Sequence, residues 1–124
     1  MSAELLFTIN LLLFVVHEFD ALRCREWRMI YGFQSLSDDS VRRIFSILHI
    51  PLFSVVMWLL NQPDEHLRYW FMVVFDAFLV MHLGLHIVFA YHPENRFTSW
   101  FSKAVIALMA LGGGWHGALI LNGT

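Results

Sequence analysis

The stretch Val80-Met81-His82-Leu83-Gly84-Leu85-His86-Ile87 places two imidazoles, His82 and His86, in a run that is otherwise apolar. Residues four positions apart lie on one face of a helix, roughly 6 Å apart at Cβ, so both rings can reach one point beside it. A polar group buried in hydrocarbon costs on the order of several kcal/mol unless it has a partner. Either the two rings are satisfied separately in the core, or they share a site.

The composition of the whole chain indicates where this stretch lies. Hydrophobic residues make up 58% of the 124 residues, which exceeds their usual share in soluble domains. We therefore expect one domain in a lipid bilayer. The formal net charge of −2 provides no basic surface for nucleic acid, and the single cysteine, Cys24, excludes an internal disulfide.

Four segments are long and apolar enough to be membrane helices, each needing about 20 residues. They cover about residues 4–24, 43–60, 68–91 and 100–121, and short polar stretches connect them. The first segment has no basic N-terminal region and no small-residue cleavage pattern, so we interpret it as a retained helix. The sequence predicts an all-α integral membrane protein, an antiparallel four-helix bundle formed by residues 1–124.

The basic residues predict the orientation of this bundle. Seven of them flank the first and third connections, namely Arg23, Arg25, Arg28, Arg42, Arg43, Arg96 and Lys103. Only Arg68 lies at the opposite side. Because basic loops stay in the cytoplasm, both termini are predicted to face outward.

Five polar residues on three helices fall at a similar predicted depth. His17, Asp20, His49, His82 and His86 lie roughly 5 to 15 Å inside the cytoplasmic boundary at ~1.5 Å per residue. Neutral imidazoles and carboxylates bind zinc, iron or manganese. We expect His49, His82 and His86 to be metal ligands, with zinc the preferred ion. His17 or Asp20 would be a fourth ligand or would orient a ligand imidazole.

The two acids of the first helix differ in direction. Asp20 lies about 60° around the helix from His17, whereas Glu18 is turned by about 100°. Asp20 is therefore the expected partner of His17. Glu18 would either pair with an arginine or transfer protons, and the sequence leaves both roles open.

A second polar pair is predicted in the outer half of the bundle. Asp76 and His116 both lie roughly 7 to 12 Å from the outer ends of their helices at ~1.5 Å per residue. The glycines between Gly112 and Gly117 would allow these helices to approach closely. We expect Asp76 to hydrogen-bond His116, as a structural clasp or as a proton relay.

Several short motifs occur in one order along the chain, namely His17-Glu18-Phe19-Asp20-Ala21, Glu26-Trp27-Arg28, His49-Ile50-Pro51-Leu52-Phe53, His82-x-x-x-His86 and His92-Pro93-Glu94. Together they resemble a family of small bacterial four-helix membrane proteins with no assigned activity. This resemblance covers nearly the whole chain and implies the fold. A weaker resemblance is to membrane-embedded zinc amidohydrolases of the alkaline ceramidase kind, which use an HxxxH pair with a histidine from another helix and have seven spans.

Three functions are compatible with these residues. The first is a zinc-dependent hydrolase acting on a lipid-like amide or ester, with Asp20 or Glu18 as the base. The second is a redox carrier that binds haem b between two histidines on different helices, such as His49 and His82. The third is transport of protons or metal ions. Four short helices enclose little space, so a homo-oligomer is a further expectation.

Overall fold

The computed structural model describes residues 2–30, 32–33 and 35–123, which form four long helices. These are α1 (Ala3–Cys24), α2 (Asp38–Leu60), α3 (Glu65–Val88) and α4 (Trp100–Leu121), with short 3₁₀ helices at Glu26–Arg28 and Phe89–Tyr91. No strand occurs among these residues. The all-α four-helix fold predicted from the sequence is confirmed, although α2 begins at Asp38 rather than at Arg43.

Each long helix begins where a side-chain oxygen accepts a hydrogen bond from a backbone N–H of the first turn. Ser2 caps α1, Ser37 caps α2, Asp64 caps α3 and Ser99 caps α4. Such caps satisfy donors that the helix itself leaves unpaired. The cap at Ser37 explains the early start of α2, because the acidic residues that follow it also suit the positive end of the helix dipole.

All four helices are long and apolar enough, by length and composition, to cross a membrane. Helices α1 and α4 run antiparallel. Gly112 in the second half of α4 lies beside Asn10 in the first half of α1, whereas Cys24 Sγ at the end of α1 donates to the carbonyl of Arg96 before α4. Helix α2 is the most peripheral, because only two of its described residues are buried.

An apolar core fills the middle of the bundle between α1, α3 and α4. The rings of Phe14 and Phe75 meet edge to face with centroids 5.6 Å apart, and Leu79 is fully buried. The members of this core are Phe7, Phe14, Phe75, Leu79, Val105 and Met109. On α3, Leu79 lies between Asp76 and His82. The core therefore separates two groups of polar side chains, one near each end of the bundle.

Glycines on α4 allow the close approach of its neighbours. A Cβ atom at Gly113 would lie 3.1 Å from both the carbonyl oxygen of Asp76 and the Cβ of Leu79. A Cβ atom at Gly112 would overlap the side chain of Asn10. Small residues let membrane helices pack backbone to backbone, so the glycines fix how near α4 lies to α1 and α3.

The packing of α3 against α4 brings Asp76 and His116 together. His116 Nδ1 lies 2.6 Å from Asp76 Oδ2, and both side chains are buried. Gly117 leaves room for the carboxylate, since a Cβ atom there would lie 3.6 Å from Asp76 Oδ2. The apolar core lies between this pair and the histidines at the other end of the bundle. This geometry favours a structural clasp between α3 and α4 over a proton relay.

We predict that Asp76→Leu destabilises the protein by roughly 1–3 kcal/mol, because it leaves His116 unpaired in the interior. Thermal unfolding in detergent should show a lower Tm. The double variant Asp76→Leu/His116→Leu should recover most of the loss, since neither position then leaves a buried polar group without its partner. Glu65→Gln, at an exposed carboxylate of the same helix, is the control. An unchanged Tm for Asp76→Leu would contradict the clasp.

Candidate metal centre

Four side chains from three segments converge near the C-terminal ends of α1 and α3. They are His17 of α1, His82 and His86 of α3, and Glu26 of the first 3₁₀ helix. One potential ligand atom from each lies within 4.8 Å of the others. His82 Nε2 lies 2.7 Å from His17 Nε2 and 3.2 Å from His86 Nε2, and Glu26 Oε1 lies 3.7 Å from His86 Nε2.

Hydrogen bonds among the three rings satisfy this arrangement only in part. A neutral imidazole nitrogen carries either one proton or one lone pair, so His82 Nε2 forms one strong hydrogen bond. Its second contact is then the weaker part of a three-centre hydrogen bond. A cation at the point of convergence would instead accept the lone pairs of all three Nε2 atoms.

The distances suit a small first-row metal ion. Nitrogen ligands about 2.0–2.1 Å from a tetrahedral zinc ion lie roughly 3.4 Å from one another. The observed separations of 2.7, 3.2 and 3.7 Å fall on both sides of this value. Three imidazoles and one carboxylate also form a donor set that zinc, iron and manganese accept. The donor types and the spacing, with all four atoms within 4.8 Å of one another, are therefore compatible with a metal ion.

Helical spacing and an aromatic contact hold the three rings. His82 and His86 are four residues apart, so one turn of α3 presents both toward α1. Phe97, in the connection before α4, stacks on His17 with centroids 5.6 Å apart and meets His86 edge-on at 4.5 Å. His17 itself is fully buried. Phe97 thus restricts how far the rings of His17 and His86 can turn away from the point where the Nε2 atoms converge.

Glu26 reaches the histidines because the chain turns sharply after α1. Arg25 adopts a left-handed conformation with φ of 54°, which ends α1 and starts the 3₁₀ helix. Asp38 of α2 then binds residues that precede and follow Glu26 in the chain. Its carboxylate accepts from Arg25 Nη1 at 2.6 Å, from Arg28 Nε at 2.6 Å and from Trp27 Nε1 at 3.4 Å. The position of Glu26 therefore depends on α2 as well as on α1.

The surroundings of Glu26 disfavour its charged form. Burial raises the pKa of the Glu26 carboxyl to about 7, and the Glu18 carboxylate adds to this rise. A nearby cation would offset both effects. Sequence analysis did not place Glu26 among the site residues, although it begins the Glu26-Trp27-Arg28 motif on which the family resemblance partly rests.

His49 does not join the three converging histidines, which corrects the expectation that it meets His82 and His86. Its Nε2 lies 2.6 Å from Glu18 Oε2, and its Nδ1 donates to the carbonyl oxygen of Phe45 at 2.6 Å. The depth of His49 along the bundle did not predict its partner. His49 lies on a side of α2 from which its ring points to Glu18. The imidazole ligand from the other helix in this arrangement is His17.

The contact between Glu18 and His49 contains one proton. The carbonyl oxygen of Phe45 can only accept, so His49 Nδ1 carries a hydrogen. A separation of 2.6 Å between His49 Nε2 and Glu18 Oε2 then requires a hydrogen between them, on either atom. Glu18 therefore faces a histidine rather than an arginine.

Asp20 contacts Arg23 and not His17, which corrects the expected pairing. Asp20 Oδ1 accepts from Arg23 Nε at 2.8 Å, and Arg23 Nη2 also donates to Ser102 Oγ of α4 at 3.2 Å. The spacing of three residues between Asp20 and Arg23 brings the guanidinium onto the carboxylate. This interaction ties α1 to α4 beside the histidines.

An open cavity of about 550 Å³ adjoins the converging ligands. Glu26, His82 and His86 form its polar part. The rest of the lining is apolar apart from His92 and includes Met29 and Leu85. A molecule in this cavity could therefore contact the candidate metal ligands directly.

Comparison with known proteins gives a family but no activity. The model of a family of unknown function, DUF6713, matches residues 3–123. This agrees with the resemblance to an uncharacterised family. No curated protein and no solved structure matches the chain. Because the match covers nearly all of its length, the chain belongs to the DUF6713 family.

Proposed function

We propose that this protein is an intramembrane metal-binding protein, and specifically a zinc-dependent hydrolase that cleaves a lipid-like amide or ester. His17, His82, His86 and Glu26 would hold the ion. The observation that carries the proposal is the convergence of three Nε2 atoms on one point, with separations of 2.7 and 3.2 Å. A metal ion would bind the Nε2 lone pairs of all three imidazoles at once, whereas His82 Nε2 can form only one strong hydrogen bond.

A bound zinc ion would supply a Lewis acid that polarises a carbonyl group and makes a water molecule more acidic. In hydrolysis the water oxygen forms a new bond to the carbonyl carbon, the C–N or C–O bond breaks, and one proton passes to the leaving group. Glu18 and His49 would pass the proton that they share to the leaving group and would regain one from the attacking water. Asp20 is bonded to Arg23 and is the less suitable base.

The geometry around His82 favours a single metal ion over haem b. Two histidines that bind haem lie on opposite sides of the iron, with the porphyrin between them. His82 Nε2 has two other imidazole nitrogens within 3.2 Å, which leaves no space for a porphyrin. His49 Nε2, the other proposed haem ligand, contacts Glu18. We also rank transport lower, because the apolar core interrupts the polar groups along the bundle.

The membrane setting of the proposal rests on the four apolar helices and the distribution of charge. Seven of the eight basic residues flank the connections after α1 and α3, and this distribution supports a cytoplasmic location for these connections. The candidate metal centre would then lie on the cytoplasmic side of a bacterial inner membrane. A second copy of the chain would complete any part of the substrate site that four helices leave open.

We predict that His82→Ala abolishes stoichiometric metal binding, because His82 Nε2 lies at the centre of the three imidazoles. Metal content is measured by mass spectrometry on protein purified in detergent. His49→Ala is the matched control, since it removes a histidine that contacts Glu18 instead, and it should retain the metal. Equal metal content in both variants would contradict the ligand assignment.

Glu18→Gln separates metal binding from hydrolysis. We expect the metal to stay bound and the turnover of fluorogenic long-chain amides and esters to fall by about 10²-fold, as for loss of a general acid–base group. Asp20→Asn should have the smaller effect on turnover, because Asp20 is bonded to Arg23. Wild-type turnover in metal-loaded Glu18→Gln would exclude Glu18 from proton transfer.

We predict that Asp38→Asn weakens metal binding by roughly 10- to 100-fold, as is usual when a residue that positions a ligand is changed. The variant loosens the 3₁₀ helix that carries Glu26. Asp39→Asn is the control, because Asp39 pairs with Arg42 and Arg43 on α2 and does not contact that helix. Competition with a chromogenic chelator gives both affinities. Equal affinities would show that Asp38 does not position Glu26.

A further inference from the structure

The cavity beside the candidate metal centre has an unequal distribution of polarity. It lies between α3 and the segment that contains the first 3₁₀ helix. Its polar groups at the ligands are Glu26, His82 and His86, and its apolar side chains include Met29, Leu85 and Phe89. His92 is the other polar residue of the lining. A ligand with one metal-binding group and one hydrocarbon part would match both regions.

We propose that this cavity binds a hydrocarbon chain of the substrate, with the reactive carbonyl group at Glu26, His82 and His86. This inference rests on the proposed function and specifies its substrate class, an amphiphile with a metal-binding carbonyl group and a hydrocarbon chain. A volume of about 550 Å³ is within the usual range for ligand cavities.

The exposed side chains of the cavity indicate how the hydrocarbon chain enters. Leu85 is 52% exposed and Ile30 is 42% exposed, whereas Met29 on the inner wall is buried. Leu85 lies on a helix that is long and apolar enough to cross a membrane, so the open side of the cavity would face lipid. A substrate would move in sideways from the bilayer and would not have to cross water.

The inference can be tested with two hydroxamates that share a metal-binding group. The full-length protein is purified in detergent and loaded with Co²⁺, whose visible absorption reports binding of either compound. Acetohydroxamic acid probes only the metal. Dodecanohydroxamic acid probes the metal and the cavity. We expect Leu85→Trp to bind acetohydroxamic acid like the wild type but to bind dodecanohydroxamic acid at least roughly tenfold more weakly, because the indole overlaps the chain.

Two further variants control for the tryptophan itself. Met81→Trp introduces the same side chain on α3 at an exposed position outside the cavity lining, and it should bind both compounds normally. Ile30→Trp narrows the cavity from its other wall and should repeat the effect of Leu85→Trp even if that variant folds poorly.

The outcomes separate the two proposals. Unchanged binding of dodecanohydroxamic acid in Leu85→Trp and Ile30→Trp would overturn the chain site while the metal centre stands. An equal loss in Met81→Trp would also overturn it, because the effect would then come from tryptophan at the lipid surface. If the cobalt spectrum of the wild type does not differ from that of His82→Ala, the proposed function itself is overturned.

Discussion

The arrangement near the ends of α1 and α3 depends on the need of three buried imidazoles for partners. Apolar surroundings make an unpaired polar group costly, so the rings of His17, His82 and His86 must be satisfied where they meet. His82 Nε2 lies within hydrogen-bond distance of both other Nε2 atoms but can form only one strong hydrogen bond. Three features bring these side chains together: the helix packing, the 3₁₀ helix with Glu26 and the contact of Phe97 with His17 and His86.

The fold keeps its polar groups in separate places. Asp76 and His116 join α3 to α4 on one side of the apolar core, and the converging histidines lie on the other side. Core side chains such as Leu79 exclude water between them. Stability and the proposed chemistry therefore use different residues of the same helices, and a substitution in one group can leave the other intact.

Helix α2 contributes to the site although it has the fewest buried residues of the four long helices. It supplies His49 to Glu18 and Asp38 to the 3₁₀ helix, and few of its other side chains are buried. A peripheral helix can move more readily than the three that share the core. Two features of the site therefore depend on the position of α2. They are the position of Glu26 and the proton shared by Glu18 and His49.

The sequence by itself determined the helices and the local geometry within each one. Apolar segment length predicted four helices, the spacing of His82 and His86 predicted one shared face, and the glycines of α4 indicated its close packing. These features depend only on residues near one another in the chain. The depths of Asp76 and His116 also placed these two residues side by side.

The tertiary structure decided which residues meet. Depth along a helix specifies height in the bundle but not rotation about the helix axis, so His49 and His17 could not be told apart as partners of His82. The structure turns His49 to Glu18 and His17 to His82. Glu26 lay outside every predicted helix, and only the path of the chain after Arg25 brings it to the histidines. Helix rotation and the path of a connection arise from packing between distant segments, which local sequence patterns do not encode.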